Sequence, residues 1–158
     1  MIVDSGNRTE FTTGAVRDVQ EGKGRCDLLP LSEVAEYLES PVIERIGRWQ
    51  RSKDVKDLEA VFAIGVMELF EDRETAILEL SVHFEEGCKK YGERNWEKGI
   101  PVNRYIDSAI RHYLKHLRGD KDERHDRAFL WNIICCIWTI KNKPELNDYE
   151  EGGTNENN

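Results

Sequence analysis

No apolar run in this sequence approaches the roughly 18–20 residues that a bilayer-spanning helix requires. The longest, from Ala128 to Ile140, is interrupted by Asn132 and Thr139, so no membrane partner is expected. Cysteine is sparse, and the four present form no CxxC pair, which argues against a thiol redox motif or a zinc knuckle. Cys135 and Cys136 are adjacent and on a helix would point about 100° apart, a poor geometry for a disulfide. All four are read as free thiols, two of them core filler. The opening MIVDSGNRTEF lacks a basic segment followed by an apolar one, so no signal peptide is expected and a cytoplasmic location is.

Positive charge is also short overall. The net charge of −8 argues against a long nucleic acid as partner. Its distribution is uneven: between Lys89 and Arg118 eight basic residues face three acidic ones. A local cationic zone in an acidic chain suits a compact anion, such as a small-molecule nucleotide, better than a polyanion.

What is present is helical periodicity. With 158 residues, the chain is read as one all-α domain over residues 1–144, a compact helical bundle. An irregular, glycine-punctuated N-terminal arm covers residues 1–30. Ser32 fits an N-cap for a first helix that Ser40-Pro41 breaks. Further helices are expected over Val42–Gln50, about Asp57–Phe70, Arg73–Tyr91 and Val102–Arg118. In the fourth, Ile77, Leu80, Phe84, Cys88 and Tyr91 form one apolar stripe. Gly92 and Gly119 supply stops. Asp120 with Glu123 reads as a capping box opening a last, central helix that runs to about Lys141. The acidic, Gly/Asn-rich stretch 145–158 reads as a disordered tail.

Several residues could carry chemistry. Asn132 lies inside an apolar run, and a buried amide needs partners, either a neighbouring helix or a ligand. His125 stands two turns earlier on the same face. Glu79, His83, Glu86 and Lys90 stack at steps of four, three and four, which suits either an ion-paired surface or a divalent-ion site. Asp120, Asp122, Glu123 and Asp126 crowd one turn. Arg111 and His112 lie beside the seam of the fifth helix, and Arg111 can clasp a phosphate or pair with Asp107. In the loop around Arg94, Asn95 and Trp96, the indole can stack on a base or plug the core.

Tyr91-Gly-Glu-Arg-Asn-Trp-Glu-Lys-Gly99, Ser108-Ala-Ile-Arg-His112, Gly119-Asp120, His125 and Trp131-Asn132 together resemble a family found largely in bacteriophages, the dATP/dGTP diphosphohydrolase N-terminal domain. Gly14-Ala-Val-Arg-Asp18 and Gly24–Pro30 resemble its opening signature, and residues 41–76 look like an insertion. The resemblance implies a Mg²⁺-dependent hydrolase that converts purine deoxynucleoside triphosphates to monophosphate and pyrophosphate. Its MazG-like all-α relatives imply a homodimer or homotetramer. By that analogy the metal sits among Glu79, Glu86, Glu123 and Asp126, with Glu79, Glu86 and Asp126 catalytic. Substrate would meet Lys89, Arg94, Asn95, Trp96, Arg111, His112, His125 and Asn132. Glu123-Arg-His-Asp126 has the ExxD spacing, but Val82 stands where an ExxE starting at Glu79 needs its second carboxylate. That departure supports the alternative of a phage nucleotide-binding protein that sequesters a nucleotide immune signal without turnover.

Overall fold

The computed structural model describes Ile2 and residues 6–148. Among these, six α-helices carry nearly all the regular structure: α1 (Leu31–Leu38), α2 (Pro41–Ser52), α3 (Val55–Leu69), α4 (Arg73–Tyr91), α5 (Val102–Arg118) and α6 (His125–Asn142). The chain is an all-α bundle, as its periodicity predicts.

Local chemistry sets most boundaries. Ser40, not Ser32, is the working cap: its Oγ accepts from Ile43 N at 3.2 Å, and Pro41 takes the first helical position, where no N–H is needed. Ser32 lies inside α1 and accepts from Arg51 Nη1. Asp54 and Asp72 cap α3 and α4 by accepting from Lys56 N and Thr75 N. Gly119 ends α5 in the left-handed region, at φ 87°.

α6 lies at the centre, packed on α3, α4 and α5, while α1 and α2 extend the bundle beside α3. Phe129, Leu130, Ile133 and Cys136 of α6 are fully buried, as are Ile106, Ala109 and Ile110 of α5. Each large side chain so buried contributes about 1.5–3 kcal/mol. Gly65 permits the close approach of α3: a Cβ there would lie 2.6 Å from Phe129 Cε1. α3, α4 and α5 together cover most of α6. The stripe expected on α4 is narrower than its spacing suggests. Ala76 and Leu80 are buried, but Ile77 is 51% exposed and Cys88 lies at the surface.

Both ends of the chain carry more order than their composition indicates. In the arm, β1 (Arg8–Glu10) and β2 (Val16–Asp18) form an antiparallel hairpin, and Cys26–Leu28 forms a 3₁₀ turn. At the other end, a 3₁₀ turn over Pro144–Leu146 follows α6. Asp148 Oδ1 then accepts from Asn103 N at 2.9 Å, satisfying the start of α5, which has no side-chain cap of its own. The tail expected from residue 145 is therefore ordered to Asp148, and the rest of it lies outside the described residues.

Candidate functional site

The arm is bound to the helices by polar contacts that sequence periodicity cannot display. Asn95 acts as a surrogate strand: its Oδ1 accepts from Val16 N at 2.9 Å and its Nδ2 donates to Val16 O at 2.8 Å. Asp18 accepts from Lys90 Nζ at 3.1 Å and from the Tyr91 hydroxyl at 3.0 Å. Asp107, fully buried, accepts from Gln20 Nε2, Cys26 N and Arg111 Nη2 at 2.6–2.7 Å. Burial raises the pKa of that carboxyl, but the bonds from Gln20 and Arg111 outweigh it and hold Asp107 ionised. Arg111 also donates to the Lys23 and Gly24 carbonyls.

Between arm, α4, α5 and α6 lies a cavity of about 220 Å³. Five cationic side chains line it (Arg17, Lys23, Lys90, Arg111 and Lys115) against three acidic ones, Asp18, Asp122 and Glu123. Lys90 and Arg111 are ion-paired, whereas among the described residues Lys23 and Lys115 have no ion-pair partner. Burial, the largest cause, and the neighbouring Arg111 and Arg17 lower the pKa of Lys23 even though Asp18 raises it. Lys23, Arg111 and Lys115 continue outward to a second opening completed by Leu114 and Arg118.

The inner wall is aromatic and amide. Trp131 carries the Arg17 guanidinium over its ring at 5.5 Å and meets the His83 ring at 5.7 Å. Burial, with Arg17 and Arg127 nearby, pushes the His83 pKa down to about 4, so at neutral pH the ring is uncharged. Asn132 is 1% exposed; its Nδ2 donates to Ala128 O at 2.8 Å, but its buried Oδ1 has no partner among the described residues. A buried acceptor left so costs about 1–3 kcal/mol, and this one belongs to a cavity-lining residue.

At the α5–α6 connection the capping box does not form. α6 begins at His125, and no side chain caps it. Arg118 takes Asp120, while Glu123 turns to the imidazoles of His112 and His125. His112 Nδ1 lies 2.9 Å from His125 Nδ1, and His125 Nε2 lies 2.7 Å from Asp122 Oδ1. Burial and the adjacent His125 and Arg17 hold the His112 pKa well below the ordinary imidazole range.

The cavity thus gathers Asn95, Arg111, His112, Glu123 and Asn132, with His125 directly behind His112. Six residues singled out from sequence lie elsewhere. Trp96 stands edge-on to Phe84 and Trp138 in the core, the plugging role rather than the stacking one. Lys89 and Arg94 are mostly exposed and pair with Glu85 and Glu97. Glu86, half-buried, does not line the cavity. Glu79 is held by Arg127 and Arg124, and Asp126 by Arg124. Two guanidiniums therefore occupy two of the four carboxylates expected to bind metal, Glu79 and Asp126. The convergent groups able to hold an ion among the described residues are His112–Glu123–His125 and Asp120–Asp122–His125. Mg²⁺ favours an all-oxygen octahedral shell, so imidazole-bearing groups do not fit it well. Arg17, Asp18 and Lys23 are not among the expected binding residues, and His83, read from its spacing as a possible ion ligand, lines the cavity beside Trp131. The one signal pointing to the first two was Gly14–Asp18, a motif of the family resemblance.

A family model described as "dATP/dGTP diphosphohydrolase, N-terminal" matches residues 65–149, from within α3 past the end of α6. No curated protein and no solved structure matches the chain. The matched span holds most of the cavity's helical wall, and the arm that closes it lies outside. The chain belongs to the dATP/dGTP diphosphohydrolase N-terminal family.

Proposed function

We propose that the cavity binds a purine deoxynucleoside triphosphate, which the protein hydrolyses to monophosphate and pyrophosphate. Family membership supports the substrate class. The observation that carries the reading is the meeting, in one cavity, of two cations, Lys23 and Lys115, and a buried acceptor, Asn132 Oδ1, none of which has a pairing partner among the described residues. The base lies inward, where Trp131 offers an aromatic surface and Asn132 Oδ1 accepts from an exocyclic amine or ring N–H. The phosphates lie outward on Lys23, Arg111 and Lys115, taking the role expected for Lys89 and Arg94. A homodimer is the assembly we favour, with Met67 and Leu78, 78% and 69% exposed, as the apolar surface available to a second copy.

One observation favours sequestration without turnover: Glu79 and Asp126, implied as catalytic by the resemblance, are both neutralised by arginine. Incubation with a panel of nucleotides and divalent ions, followed by chromatography of native and heat-denatured samples, separates the two. Hydrolysis predicts monophosphate and pyrophosphate; sequestration predicts intact ligand released on denaturation. Failure to bind any nucleotide would overturn both.

A further inference from the structure

Three donor atoms converge on the cavity wall at the α5–α6 connection. His112 Nδ1 lies 2.9 Å from His125 Nδ1 and 3.2 Å from Glu123 Oε1, and the third edge, His125 Nδ1 to Glu123 Oε1, is 3.6 Å. Ligands bound about 2.0–2.2 Å from one ion, at tetrahedral to octahedral angles, lie roughly 2.9–3.6 Å apart. The triangle therefore has the dimensions of one face of a coordination shell. We propose that His112, Glu123 and His125 form a binding site for a divalent transition-metal ion of the class of Zn²⁺, Mn²⁺ or Co²⁺.

The donor chemistry supports this class. Two imidazole nitrogens and one carboxylate suit a borderline transition dication, whereas Mg²⁺ favours oxygen and retains much of its water. The orientation of His125 is fixed from behind. An ionised carboxylate only accepts, so the 2.7 Å contact with Asp122 Oδ1 places a proton on His125 Nε2 and leaves Nδ1 as the nitrogen that faces His112 and Glu123. An outer carboxylate behind a ligating histidine is the usual second layer of a metal site. The ring itself is 1% exposed, so it has little freedom to swing away. The alternative group is weaker, because Arg118 already holds Asp120 and Asp122 is 53% exposed.

Three protein ligands leave coordination positions open. His112 and Glu123 both line the cavity, as does Asn132 with its unpartnered Oδ1, so those positions face the space where a ligand oxygen can enter. The triangle stands independently of the nucleotide reading.

Metal binding is measured on the full chain without nucleotide. Calorimetry with Zn²⁺, Mn²⁺ and Mg²⁺ is expected to show one transition ion per chain, not displaced by millimolar Mg²⁺. Co²⁺ substitution is expected to give visible d–d absorption. Glu123→Gln should weaken binding at least tenfold. Asp122→Asn, at an exposed position that leaves the fold intact by circular dichroism, should weaken it about 10–100-fold. Mg²⁺ binding more tightly than Mn²⁺, no ion bound, or affinity unchanged in both variants would overturn the assignment. Nucleotide titration of the same samples keeps the two readings apart: loss of nucleotide binding with the Co²⁺ spectrum retained refutes only the nucleotide reading.

Discussion

The opening turn of α6 has carboxylates on both sides, and their partners differ in kind. On one side Glu79 and Asp126 are gripped by Arg124 and Arg127. On the other, Glu123 and Asp122 face His112 and His125. A guanidinium stays charged and presents only donors, so the first cluster is closed: Glu79 Oε2 and both Asp126 oxygens are committed, and it fastens α4 to α6. An imidazole presents a lone pair as readily as an N–H, so the second cluster can exchange an internal partner for an external one. A short run of chain, Asp122 to Arg127, contributes to both, with Glu79 added from α4 and His112 from α5. Counting acidic residues does not tell a strut from a site; the chemistry of what faces them does.

The largest expected effect comes from breaking the closed side. Arg127→Ala removes charge-assisted bonds to Glu79 and should cost about 1.5–3 kcal/mol of stability in urea unfolding, with nucleotide affinity within about twofold of the parent. A collapse of nucleotide binding in a folded variant would erase the distinction between the clusters.

His83 sits near both clusters and reports on them through pH. Its folded pKa, about 4, lies below the ordinary value of 6.5, so the unfolded chain binds more protons between those values. The associated stability is fully present above pH 6.5 and is lost as pH falls toward 4, about 2 kcal/mol of it by pH 4.5. Urea unfolding across this range should show the slope, and His83→Gln should flatten it.

Asn132→Leu sharpens the open side. The substitution removes an unpartnered buried acceptor and keeps nearly the same shape, so stability should rise by up to about 1 kcal/mol while nucleotide affinity falls at least tenfold by calorimetry. Stabilisation without loss of binding would place the base elsewhere. The smallest effect is expected at Arg94, 67% exposed and paired only across a turn. Arg94→Ala should change stability by less than about 0.5 kcal/mol and leave nucleotide affinity unaltered.

The helical frame was largely legible because its signals are local. The predicted bounds of α4 and α5 coincide with the observed ones, where Gly92 and Gly119 follow clear 3.6-residue stripes. α6 starts later than its capping signature suggests because Arg118 and two histidines, partners contributed by α5 and by α6 itself, compete for Asp120 and Glu123. About half of the expected site converges, through Asn95, Arg111, His112, Glu123, His125 and Asn132. The rest comes from the arm, with His83 and Lys115 added by α4 and α5. Arg17 bonds Ser108 across ninety-one positions, and Asp107 reaches Gln20 and Cys26. No periodicity connects such distant residues. Trp96 illustrates the opposite error: a polar loop made it look available, whereas Phe84 and Trp138 enclose it.

Because the segment from Val16 to Lys23 forms one wall of the cavity and is tied to α5 through Arg17, Asp18, Gln20 and Lys23, occupancy and docking of that wall are thermodynamically coupled. A ligand that touches both the arm and the helices binds the docked form better than the undocked one, and so shifts the equilibrium toward it. The same coupling runs in reverse: loosening Asp107, which anchors both the arm and Arg111 and does not itself line the cavity, weakens the ligand. The cavity thus exists only while a strand pair separated from it by some eighty residues of sequence stays in place, and amide exchange at Val16–Asp18 becomes a gauge of how full the cavity is.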